Sequence, residues 1–183
     1  MTLAASGTTA GGHDEVDVLV TAWSRERPDL DVAPLEVLSR VSRLARHVDL
    51  ARRESFETHG LEPWEFDVLA ALRRAGEPYT LSPGRLLALT LVTSGTMTNR
   101  IDRLAAKGLV ERAPDPRDGR SVQVRLTDTG RHRVDDALTD LLAHERAILG
   151  ALPAAERETL AELLRRLTLP FEAGGRPGAT LPD

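Results

Sequence analysis

The chain of 183 residues contains no cysteine. That absence excludes disulfides, thiol redox sensing and cysteine-ligated zinc together, and it is compatible with a reducing cytosol. No apolar run approaches the roughly 20 residues needed to cross a bilayer. The opening MTLAASGTTAGGHD lacks the basic and apolar regions of a signal peptide, so a cytoplasmic protein is expected. Catalytic signatures are missing as well: there is no glycine-rich phosphate loop, no G-x-S-x-G elbow, no HExxH pair and no cysteine nucleophile. Neither an enzyme nor a cofactor is therefore expected. The five histidines, His13, His47, His59, His132 and His144, show no metal-ligand spacing, and no metal is expected. A strongly basic balance is lacking too. The net charge is -4, unlike that of proteins that coat nucleic acid through bulk electrostatics.

What is present is a helical pattern around a small hairpin. Hydrophobic residues make up 41% of the chain, enough for a real core. Residues 1–13 and 173–183 are rich in small residues, Gly and Pro, and are expected to be disordered tails. Over 14–33, Val16, Leu19, Val20 and Trp23 share one helical face, followed by the linker PDLD. From Pro34 to Thr58, Val37, Val41, Leu44, Val48 and Ala51 keep the four-three alternation suited to helix pairing, and Gly60 ends the helix. Pro63 then opens a second helix, lined by Trp64, Val68, Ala71 and Ala75, that stops at Gly76. After the hairpin, helices are expected over 128–150 and 154–169, the latter striped by Leu160, Leu163, Leu164 and Leu167. These end segments, 34–60 and 128–172, carry more apolar surface than a small domain over 61–127 can bury, which points to a helical dimer interface rather than a monomeric cap.

Between Thr93 and Thr127 the pattern is helix, strand, charged turn and strand: a winged helix-turn-helix in a mainly α fold with a small β-hairpin wing. A short helix from Ser82 to about Leu89 precedes it. Met97, Ile101 and Leu104 form the packing stripe of the main helix, and Gly108 is its stop. Thr96, Asn99, Arg103 and Lys107 form a polar and basic face. Leu109–Ala113 and Ser121–Thr127 read as strands, with Val122, Val124 and Leu126 inward and Gln123 and Arg125 outward; Asp118-Gly119 is the turn. From Thr93 to Arg133 there are nine basic residues against five acidic ones, a local excess of four in an acidic chain.

The partner this pattern suits is double-stranded DNA. Ser94, Thr96, Thr98 and Asn99 are of the types that bond phosphates or bases, and Arg103 suits guanine O6 and N7. At the wing, Arg117 and Arg120 would enter a narrow minor groove, oriented by Asp115 and Asp118. An ordinary charged turn is the alternative for this hairpin taken alone. A two-fold dimer would set two such helices roughly 34 to 36 Å apart and so require a near-palindromic operator.

Arg100 sits differently, some 60° to 70° from the centre of the packing stripe, so it can point inward. Asp67 supplies a reason. Its helical neighbours Pro63, Trp64, Ala70 and Ala71 cannot neutralise it, and a buried carboxylate would need a cation, with Arg100 and Arg112 as candidates. Exposure of Asp67 at the helix edge is the alternative.

The stretches WSRERPDLD, EFDVLAALRRAGEPYTLSP, SGTMTNRIDRLAAKGLVER and PDPRDGRSVQVRLTDTGR, with the leucine-rich tail, resemble the MarR family of dimeric winged-helix regulators, and within it the PecS-type, urate-responsive subfamily. The extra helix bearing Trp23 is the most discriminating item. The resemblance implies a ligand-responsive repressor with an anion site formed by residues matching Trp23, Asp67, Arg100 and Arg112, where urate would stack near the indole, pair with Arg112 and compete with Asp67 for Arg100. It also implies that His144 meets its symmetry mate near the dimer axis as a pH sensor. The segment LLALTLVTSGTM is more apolar than the family pattern and lacks its acidic residues, so xanthine or a phenolic compound stands beside urate. The remaining alternative is a DNA-compacting protein without ligand control.

Overall fold

The computed structural model describes residues 12–90, 94–114 and 122–172. Its elements in chain order are helices α1 (Glu15–Glu26), α2 (Ala33–Thr58) and α3 (Pro63–Arg74), strand β1 (Thr80–Leu81), helices α4 (Pro83–Thr90) and α5 (Ser94–Ala106), strands β2 (Val110–Pro114) and β3 (Val122–Leu126), helix α6 (Asp128–Ile148), a 3-10 turn (Leu149–Ala151) and helix α7 (Ala154–Glu172). The chain divides into two units, residues 1–52 and 53–183.

In the first unit, Asp14 caps α1. Its carboxylate accepts the Val16 and Asp17 amides at 2.8 and 3.0 Å, and Asp17 returns the bond to the Asp14 amide at 2.7 Å, a reciprocal capping box. Arg40 of α2 reaches both acids, donating from Nε to Asp14 at 2.8 Å and from Nη2 to Asp17 at 2.7 Å; Arg43 pairs with Glu15. The Arg40 guanidinium is the main reason that the Asp14 carboxyl is held down to about 2.

In the second unit the apolar stripes of α3, α5 and α6 converge. Phe56, Phe66, Val68, Leu69, Leu72, Leu86, Met97, Ile101, Leu104, Leu109, Val124, Val134 and Leu141 are buried, and the Phe56 and Phe66 rings stack at 4.1 Å. The three strands form an antiparallel sheet in the order β1-β3-β2, with Arg112 opposite Val124 and Thr80 opposite Arg125. Gly60, Gly76 and Gly108, the expected stop signals, all take positive φ, which glycine adopts without a Cβ clash.

One junction locks the sheet to α6. The Thr127 hydroxyl caps α6 by accepting the Gly130 amide at 3.0 Å, and it donates to the carbonyls of Gly108 and Leu109. Gly130 packs so tightly there that a Cβ would stand 2.0 Å from the Leu109 carbonyl oxygen.

Two expectations are corrected. Val122 is 42% exposed rather than inward, because it pairs with Pro114 at the end of the ribbon away from the core. Strand β1 was not expected; two residues are too few to show alternation, and Tyr79, in the left-handed region at φ 58°, turns the chain into it while its carbonyl accepts the Leu126 amide at 3.1 Å. Apolar side chains remain exposed in the single chain at Val37, Leu38, Val41 and Leu44 of α2 and at Leu163, Leu164 and Leu167 of α7.

Candidate nucleic-acid interface

Helix α5 exists because Met97, Ile101 and Leu104 are driven into the core and are almost wholly buried. That anchoring fixes which way the other side chains face. Thr96, Thr98 and Asn99 are exposed along the first two turns. Ser94 begins the helix. This polar N-terminal half is the part of a recognition helix that reaches base edges.

The C-terminal half of the same face is engaged with α3. Arg103 Nη2 donates to Glu62 Oε1 at 2.6 Å, and the guanidinium lies 4.7 Å from the centre of the Trp64 ring. Arg100 approaches the same ring at 5.2 Å. The Trp64 indole Nε1 donates to the other oxygen of Glu62 at 2.6 Å. The indole N–H above all holds the Glu62 carboxyl below the usual carboxylate range; burial opposes it, and the Arg103 guanidinium adds to the lowering. Lys107 Nζ lies 2.7 and 2.8 Å from the two oxygens of Glu65, whose side chain is fully buried and also accepts the Glu62 amide at 3.0 Å.

Of the two readings of Asp67, the arrangement matches exposure at the helix edge. Asp67 is exposed, so burial imposes no need for a cation; the buried carboxylate of α3 is Glu65, and its cation is Lys107, which belongs to the internal pair rather than to a free basic face. Arg112 on β2 pairs with Asp102 of α5 at 2.6 Å, joining the base of the wing to the helix. Arg100 is half-buried, its guanidinium over the Trp64 ring.

The other candidates are distributed as follows. Arg117, Asp118 and Arg120, with Asp115, lie outside the described residues. Trp23 is half-exposed on α1. His144 is exposed on α6, with Nδ1 2.8 Å from the hydroxyl of the buried Ser55. No group of three metal-ligating side chains is present among the described residues, and no helix there is long and apolar enough to cross a membrane. Glu62, Trp64 and Glu65 were not singled out as a unit from the sequence. The detectable signal was the E-P-x-E spacing, an N-terminal capping pattern with proline at the first helical position.

Comparison with known proteins gives one consistent answer. Residues 59–121 match the MarR family. The chain is 38% identical over 153 residues to the transcriptional regulator PecS of Dickeya dadantii, covering 84% of this chain and 92% of that protein. It superposes on a mutant of the MarR repressor of E. coli in complex with operator DNA with a TM-score of 0.60 and 28% identity, over 75% of this chain and 99% of that one. It also resembles BpsR of Bordetella bronchiseptica, whose DNA binding is regulated by 6-hydroxynicotinic acid, with a TM-score of 0.55 and 29% identity, over 70% and 93% of the two chains.

Proposed function

The chain belongs to the MarR family of DNA-binding transcriptional regulators, and from that membership we propose that it is a homodimeric repressor whose grip on a near-palindromic operator is weakened by a small anionic aromatic ligand. The observation that carries the DNA reading is the outer face of α5. Thr96, Thr98 and Asn99 stand exposed on a helix whose opposite face is locked in the core, which presents hydrogen-bonding groups on a rigid support, as base readout needs. Ser94, Arg103 and the wing residues Arg117, Asp118 and Arg120 complete the proposed DNA contacts. The exposed leucines and valines of α2 and α7 supply the proposed dimer surface, because two-fold symmetry would place two recognition helices one helical turn apart.

The ligand reading rests on the PecS likeness and on charge. Arg100, at the middle of α5 beside Trp64, and Arg112, on β2 and paired with Asp102 of α5, are both cations at this helix, and a planar carboxylate, urate or xanthine anion suits guanidinium groups. Regulation of BpsR by 6-hydroxynicotinic acid favours the same ligand class. Asp67 and Trp23 are the other residues that the family resemblance assigns. Since Arg100 belongs to α5 and Arg112 pairs with its Asp102, a ligand that moves them would alter the pose of the reading helix. A coupling of about 1 to 3 kcal/mol would give an effective switch.

The test is band retardation on a duplex selected from a randomised pool, beside calorimetric titration with urate, xanthine, 6-hydroxynicotinate and a phenolic acid. Wild type is expected to lose affinity for DNA with at least one of them. Asp67→Ala, Arg100→Ala and Arg112→Ala should blunt that response; full sensitivity in all three would refute the assigned pocket.

A further inference from the structure

Helix α5 is tied to α3 by two acid-base pairs that differ in kind. Glu65 is fully buried, so parting it from Lys107 would leave an uncompensated charge inside the protein. Glu62 and Arg103 are each about half exposed, and such pairs separate at little cost. We propose that Glu62 is an affinity-determining residue for DNA: its carboxylate competes with the duplex for the Arg103 guanidinium. This rests on the reading of α5 as the DNA-contacting helix.

The geometry supports an exchangeable partner rather than a fixed one. Trp64 Nε1–H grips one Glu62 oxygen at 2.6 Å, which aims the other at Arg103 Nη2, also at 2.6 Å. The Trp64 ring gives the guanidinium a surface to slide across, at 4.7 Å. Arg103 lies one turn after Asn99 on the same side of α5, so on leaving Glu62 it reaches the ground next to an exposed amide side chain. A phosphate or guanine edge offers it the same charge-assisted hydrogen bonds that Glu62 provides. The free protein therefore keeps Arg103 occupied, and a duplex must displace the carboxylate to use it.

The experiment compares the full-length wild type with Glu62→Gln on a duplex recovered by selection from a randomised pool and on a scrambled duplex. Glu62→Gln is expected to bind both more tightly, by about two- to five-fold, with a salt dependence steeper by about one counterion. In an Arg103→Gln background the same change should have no effect, since the competitor then has nothing to withhold. Trp64→Phe keeps a ring beneath the guanidinium and removes the N–H, so it should show part of the gain. A gain that persists without Arg103 would mean simple removal of negative charge and would overturn the proposal. So would unchanged or weaker binding by Glu62→Gln where wild type binds the selected duplex. If wild type binds neither duplex, the DNA-contacting role of α5 fails, and this inference fails with it.

Discussion

Glu65 is the residue on which the setting of the reading helix turns. Its fully buried carboxylate is held by the Lys107 ammonium and one backbone amide, while Oε1 accepts no hydrogen bond and rests on the charge of Lys107 2.7 Å away. Lys107→Met would leave the carboxylate buried with a single donor, and a loss of about 1 to 3 kcal/mol in denaturant stability is expected. Adding Glu65→Gln should recover part of that loss, because the neutral amide is cheaper to bury. At Gly130 the issue is space. A methyl group would be driven against backbone 2.0 Å away, so Gly130→Ala should cost about 3 kcal/mol, at the upper end of overpacking, read as a fall in calorimetric Tm. Neither position announced itself in the sequence. Glu65 looks like an ordinary first-turn acid, and Gly130 like a poor choice near a helix start. By contrast, the stops at Gly60, Gly76 and Gly108 were legible, because a positive φ leaves a local mark that tertiary packing does not override.

At the scale of elements, α1 depends on charge as much as on apolar contact. Asp14 and Asp17 are both held below their ordinary range, Asp14 mainly by Arg40 and Asp17 by the Asp14 backbone bond and then Arg40. A depressed carboxyl contributes stability that is present above its unfolded value of 3.8 and is lost as pH falls toward about 2. Protection of the α1 amides from hydrogen exchange should therefore differ between wild type and Arg40→Gln at neutral pH. That difference should vanish across the window from about 3.8 to about 2 and shrink in high salt, since the ion pairs are exposed. Helices of ten residues or more were readable from their apolar period, and the observed α2 and α6 begin within a residue of the expected starts. Strand β1 was not readable, because its two residues are held by pairing with β3 and by the Tyr79 turn rather than by any preference of their own.

For the whole molecule, the exposed apolar faces are the ground on which a partner surface is proposed. A monomer leaving Leu163, Leu164 and Leu167 in water along one helix forgoes the free energy of burying them, about 1.5 to 3 kcal/mol for each fully covered side chain. Light scattering should find a dimer, and Leu163→Asp with Leu167→Asp should give a folded monomer whose operator affinity collapses while binding to scrambled duplex falls much less. Retention of a dimer in that variant would place the interface elsewhere. The proposed ligand response belongs to this scale too, because it would need a movement at Arg100 or Arg112 to be felt at two half-sites at once.

By itself the sequence determined the helices, their stops, the two longer strands and the family, since these follow from local periodicity, backbone preferences at glycine and proline, and motifs that lie within a few dozen residues. Which carboxylate is buried and which cation answers it was decided only by the tertiary structure. Glu62 and Glu65 are 41 and 42 residues from Arg103 and Lys107, and Asp67, two positions farther along α3, faces solvent. The physical reason is that burial and pairing depend on how two helices are rotated against one core. That rotation is set by the summed packing of Met97, Ile101, Leu104, Phe66 and Leu69, and no single position carries it.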